Sequence, residues 1–350
     1  MVLEVSALTV FVALVAGSLV AWRRLFRDFK QGMQPLPPRL RAPSPFGLLD
    51  VLLMFFAWIM AQLLGLELAK WLAGLESDSL SDLPLSASSY FILVAGTVQL
   101  VATFGCIVIY RMRYPSPPPF TTNRQTTISN IRIGLLGFLL IVPPTLILQM
   151  VLNQLVPYKH DTLESLKEAT SSLPIVTAWI MAVVIAPIVE EIFFRGMLQG
   201  WLQRLGNTRP EDFDKLISGG RFNSSQNIDD EQWQTKPAQP LDDSNTTLDD
   251  NPYHPPESSS VSKTANQPDV GEQVYFDSKL RWTPILVSAG LFAAAHIGQG
   301  AAPIPLFFLA IGLGYLYRQT GSIVPGIVVH FLLNFHSMFW ATLAVFFDAG

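Results

Sequence analysis

The sequence predicts an all-α fold: a polytopic membrane helical bundle, about eight transmembrane helices around a polar intramembrane cavity. Three observations lead there. Half of the 350 residues are hydrophobic and only 14% are charged, whereas an average soluble domain carries about 25% charged residues. Apolar runs recur along the chain at bilayer-crossing length, about 18 residues or more. The ionisable groups inside those runs gather in the late ones.

The runs cover roughly 5–22, 47–70, 90–110, 131–157, 174–199, 283–298, 303–318 and 322–347. The sixth and seventh are short and separated by GQGAAP, so they also read as one broken hairpin. The others are long enough to span with some tilt. Orientation follows from Lys and Arg in the short loops. Loop 23–46 carries Arg23, Arg24, Arg27, Lys30, Arg39 and Arg41 against Asp28. Loop 111–132 has four arginines and no acid, loop 71–89 three acids and no base, and loop 158–173 is slightly acidic. The alternation puts the loops after spans one, three, five and seven in the cytoplasm and both termini outside. The first span makes a poor signal peptide, because its positive cluster follows it.

Net charge is −4, but it is unevenly spread. Residues 207–280 hold 14 acidic and 6 basic residues, while the remainder is mildly basic. That stretch is rich in Pro, Ser, Asn and Asp and poor in aliphatic residues. It reads as an inserted acidic, mostly disordered cytoplasmic loop, either tolerated or docking a partner. Cys106 is the only cysteine, so no disulfide forms within the chain. The basic residues are scattered along span edges, which speaks against nucleic acid as a partner.

The late spans carry the chemistry. The fifth holds Glu190, Glu191 and Arg195 in PIVEEIFFRG, the sixth His296 in LFAAAHIG, and the eighth His330 and Asn334 in VVHFLLNFH. Charges in such places are costly and mark functional sites by default. Residues four apart on a helix share a face, so Glu191 and Arg195 can neutralise each other. Glu190 points about 100° away and has no partner on its own helix. His330 and Asn334 share a face, as do Phe292 and His296. At about 1.5 Å per residue, Glu190 lies roughly 21 Å from Arg204, His296 roughly 22 Å from Arg281 and His330 roughly 18 Å from Arg318. Three spans thus bring polar groups to one depth. Singly, each has a plainer reading: an interfacial Glu-Glu anchor, or a histidine bonding two helices. Their agreement in depth favours one shared cavity.

A carboxylate, two imidazoles and an amide suit water-activated hydrolysis. Glu190 is the natural base, since burial makes a carboxylate more basic. His296 could share the water proton, and His330 with Asn334 could donate to an oxyanion. Glu191 and Arg195 would support from behind. HExxH and GxSxG are both absent, against zincin and nucleophile-elbow chemistry.

EEIFFR (Glu190, Glu191, Arg195), FAAAH (Phe292, His296) and HFLLN (His330, Asn334) occur in that order and match EExxxR, FxxxH and HxxxN. Together they resemble the CAAX protease and bacteriocin-processing (Abi) family of glutamate-type intramembrane endopeptidases, over about residues 131–347. The resemblance implies that Glu190 and His296 activate water, that His330 and Asn334 form the oxyanion hole, and that no metal or other cofactor is needed. It implies a membrane-associated protein or peptide as substrate and a cavity open to the cytoplasm. By this reading residues 126–347 are the protease-like membrane domain and 1–125 are helices without an assigned role. About 85 residues separate the end of the first motif region from the second, longer than the family pattern usually needs. Three other readings compete: a non-catalytic scaffold, immunity or maturation factor; a metal hydrolase with Glu190, His296 and His330 as zinc ligands; and a transporter, for which matching broken helices are missing.

Overall fold

The computed structural model describes residues 2–33, 36, 44–74, 85–113, 124–156, 172–205, 208, 213–220 and 282–348. Among these there is no β-strand, and the all-α expectation stands. Four long helices come first: α1 (Val2–Lys30), α2 (Leu48–Ala73), α3 (Leu85–Arg113) and α4 (Arg124–Asn153). The fifth run is one rod in five consecutive segments: α5 (Ser172–Trp179), π1 (Ile180–Ile185), α6 (Ala186–Glu190), π2 (Glu191–Gln199) and α7 (Gly200–Leu205). A short helix α8 (Phe213–Ser218) follows, then α9 (Thr283–Ala294), α10 (Pro303–Thr320) and α11 (Val324–Asp348).

Among the described residues six helices are long and apolar enough to cross a membrane, against the eight expected: Leu3–Lys30, Leu48–Leu68, Leu93–Tyr110, Thr126–Asn153, Ile175–Leu205 and Val324–Phe346. The difference lies in the sixth and seventh runs. Expected to reach residue 298, α9 stops at Ala294 after 12 residues, about 18 Å of helix against a hydrocarbon core of about 30 Å. Gly298 and Gly300 have φ of 106° and 61°, a left-handed backbone that glycine adopts without a Cβ penalty. Pro303 then opens α10. Its 18 residues include Tyr315, Tyr317, Arg318 and Gln319 near the end. α9 and α10 pack against each other, the broken-hairpin arrangement.

The outward faces are greasy. Leu52, Phe56 and Leu63 of α2, Val101 of α3 and Leu135 of α4 are all exposed. Water would make such continuous apolar surface costly, and a bilayer removes the cost. The chain is an integral membrane protein. Inside, α2 packs on α3, α4 on α11 and α1 on α4. α4 runs through Pro143 and Pro144 without ending. Pro144 has no N–H for the carbonyl of Leu140, four residues back. Trp22 of α1 supplies one instead, its Nε1 donating to Leu140 O at 3.0 Å.

Within the acidic stretch, residues 213–220 pack on the bundle. Leu216 of α8 is buried, and its carbonyl accepts from Trp201 Nε1 at 3.1 Å. The Gly220 N–H donates to Pro45 O at 2.9 Å. Arg204, also buried, donates from Nη1 to Ser44 O at 3.2 Å. The segment before α2 is thereby fastened to the end of the fifth rod. Residues 207, 209–212 and 221–280 of the expected disordered loop lie outside the described residues, as do Arg39, Arg41 and Arg281.

Candidate active site

The site forms where the fifth rod meets α9 and α11. Its first surprise is local. The sequence reads as ordinary α-helix over 174–199, but π1 and π2 have wide turns with hydrogen bonds reaching five residues back, the kind of bulge often found at functional sites. Pro187 marks the transition, standing in the first turn of α6. Just before it, the Ala186 N–H donates to Met181 O, five residues back. The same register would assign the next N–H to Ala182 O, and Pro187 has none.

Glu191 and Arg195 form the expected pair, Nη1 to Oε1 at 3.3 Å, with side chains only 0% and 1% exposed. Neither guanidinium nor carboxylate makes a well-directed hydrogen bond among the described residues, so the contact is an ion pair above all. The Arg195 charge also lies 4.6 Å from the centre of the Phe292 ring. Cation and ring face attract, and more strongly when water is excluded.

Glu190, which Arg195 does not meet at ion-pair distance, finds a partner across the bundle. Its Oε2 lies 3.8 Å from His330 Nε2. The other nitrogen of His330, Nδ1, lies 3.6 Å from Glu191 Oε1. His330 is thus inserted between the two adjacent carboxylates, a bridging position that its spacing to Asn334 did not reveal. Glu191 therefore faces His330 as well as Arg195. Oε2 of Glu190 is buried without a hydrogen-bond partner, yet the side chain keeps 19% exposure.

Phe292 organises the second motif. Fully buried, it sits 5.9 Å from the His330 ring and 4.9 Å from the His296 ring, centre to centre. Its carbonyl lies 2.8 Å from His296 Nδ1. A carbonyl only accepts, so Nδ1 is the donor here, and in the neutral tautomer that leaves the lone pair on Nε2. The half-buried His296 stands in the turn after α9 rather than on the expected helix. It joins the cluster through Phe292, while Glu190 meets His330.

Asn334 lies one turn beyond His330, and its Nδ2 donates to Ala182 O at 2.7 Å. One amide hydrogen is therefore committed to the backbone of π1. His336 stacks edge-on with Trp340 at 6.3 Å.

Four contributors escaped the sequence reading. Gln199 is sealed and donates from Nε2 to Gly314 O at 2.8 Å. Its place four residues after Arg195 was the available signal. Gly326 of α11 lets Glu191 approach, since a Cβ there would run into Glu191 Oε2. Ser288 Oγ donates to Phe194 O at 2.9 Å, tying α9 to π2. Trp58 of α2 packs on Phe193 at 4.9 Å and Phe194 at 6.0 Å. No spacing rule could assign the last contact, which joins distant parts of the chain.

No three His, Cys, Asp or Glu side chains among the described residues are grouped as a metal site. What fold and site define is a helical membrane protein with a carboxylate–histidine cluster inside its bundle. Residues 172–219 and 272–336 match the model of the Rce1-like family, type II CAAX prenyl endopeptidases. The matched segments contain all seven motif residues and leave 220–271 between them. The similarity to CAAX proteases is thereby upheld, over a shorter stretch than the 131–347 expected. No curated protein and no solved structure matches the chain.

Proposed function

We propose that the protein is an intramembrane endopeptidase that hydrolyses a peptide bond of a membrane-associated protein or peptide. The observation that carries the reading is the approach of Glu190 Oε2 to His330 Nε2 at 3.8 Å, between two segments that both match the CAAX endopeptidase family. Glu190 is the general base. It takes a proton from water as the oxygen attacks the scissile carbonyl. His296 helps hold that water through Nε2, the nitrogen left free by the Phe292 contact. His330 and the second amide hydrogen of Asn334 donate to the oxyanion, where fixed donors act strongly because water is excluded. As the C–N bond breaks, the proton on Glu190 passes to the leaving amine. Glu191 and Arg195 hold charge balance behind the site. The mechanism asks for no metal. By the arginine-rich loops, the cavity opens to the cytoplasm and both termini lie outside.

The family description points to a substrate with a prenylated C-terminal CAAX sequence. The test uses purified full-length protein in detergent, with a farnesylated CAAX peptide and an unprenylated hydrophobic peptide as substrates. Cleavage is expected for the first, with a loss of about 10²–10⁴-fold in Glu190→Gln. Equal cleavage by parent and Glu190→Gln overturns the mechanism.

A further inference from the structure

We infer that Asn334 is a positioning residue that replaces the hydrogen bond Pro187 cannot make, and so splices α11 to the helix carrying Glu190. The reasoning starts with the register of the fifth rod. Ala186 donates five residues back, to Met181 O. The following donor would serve Ala182 O, but residue 187 is a proline. An unsatisfied carbonyl inside a bilayer costs several kcal/mol. Ala182 O is not left unsatisfied, because Asn334 Nδ2 reaches it at 2.7 Å from a residue 152 positions away in sequence.

The chain uses the same device elsewhere. Pro144 deprives Leu140 O of its donor, and Trp22 Nε1 fills the place from another helix at 3.0 Å. Two prolines within spans, two neighbouring carbonyls, and two side-chain donors from other helices follow one rule. At Pro187 the consequence reaches the site. Glu190 follows the proline by three residues, and His330 precedes Asn334 by one turn on α11. The splice therefore ties the two helices within one turn of the Glu190–His330 approach and fixes their mutual height. This inference goes beyond the peptidase reading, which assigns Asn334 only a donor role toward substrate, and it stands or falls separately.

A double-mutant comparison tests it, because only the splice requires residues 187 and 334 to be coupled. Thermal unfolding of the purified full-length protein is followed for the parent, Asn334→Leu, Pro187→Ala and the double variant. Alanine at 187 restores the missing N–H. The loss of Tm caused by Asn334→Leu is expected to shrink by half or more in the Pro187→Ala background, and to be unchanged in a Pro144→Ala background. An equal loss in all three backgrounds overturns the inference, and so does no loss in the parent background. If Asn334→Leu does not fold alone, recovery of folded protein in the double variant counts as the rescue. Asn334→Ser gives the same comparison with a smaller side chain, and failure of both with or without Pro187 also overturns the splice. Peptide cleavage by the rescued double variant reports separately on the donor role. A stable but inactive double variant keeps the splice and supports the donor role, whereas a stable and active one keeps the splice and removes that role.

Discussion

Arg195 Nη1 lies 3.3 Å from Glu191 Oε1, four residues apart on one rod, with both side chains sealed inside the bundle. Removing one member of such a pair strands the other charge in a medium that cannot solvate it. Arg195→Leu or Glu191→Leu alone is expected to cost about 3–5 kcal/mol. The double replacement by leucine should recover much of that, because no charge is then left unpaired. Thermal or denaturant unfolding in detergent measures it. Losses that simply add in the double variant would show that the two residues do not act as a pair.

Gly326 exposes a second dependence on Glu191. A Cβ at this position collides with Glu191 Oε2, and that carboxylate is sealed in the bundle beside Arg195. Gly326→Ala should destabilise the protein by about 1–3 kcal/mol. Shortening the carboxylate relieves the clash, so Glu191→Asp should cost less in the Gly326→Ala background than in the parent. The same unfolding assay reads both, and an unperturbed Gly326→Ala variant contradicts the packing described.

His296 differs from its neighbours in being half-exposed and tethered by one nitrogen only. His296→Ala should leave the unfolding temperature nearly unchanged. It should lower kcat on the farnesylated peptide by about 10²–10⁴-fold, with a smaller effect on KM. Unchanged kcat removes His296 from the reaction.

Metal independence has its own check. Protein stripped with a strong chelator and exchanged into metal-free buffer should keep its full rate of peptide cleavage. Activity lost on stripping and restored by zinc would favour a hydrolase in which Glu190, His296 or His330 binds the metal.

Much of this architecture was legible because its causes are local. An apolar run of bilayer length must close its backbone hydrogen bonds within itself, so α1 to α4, the fifth rod and α11 follow from hydropathy. The Glu191–Arg195 pair follows from four-residue spacing, and the different direction of Glu190 from the angle between neighbours. The motifs marked the segments that match the CAAX endopeptidase family. Where local rules were too simple, specific residues explain it. Pro187 and the π turns beside it depart from the α-helix that periodicity suggests, because a side chain from another helix can satisfy a backbone carbonyl. The sixth run leaves the helix at Ala294, and the left-handed Gly298 and Gly300 lie in the turn that follows, so it falls short of a long span.

The amino-acid sequence by itself determined which stretches are helices suited to a membrane, which residues carry charge inside them, and which of those share a face. These depend on the solvent and on neighbours within a turn or two. Only the tertiary structure decided that His330 stands between Glu190 and Glu191, that Phe292 lies beneath Arg195 and beside His330, and that Asn334 completes the turn broken by Pro187. All but the Phe292–His330 contact join residues more than 90 positions apart. They arise when separate helices pack side by side and each buried polar group must find its partner on another element.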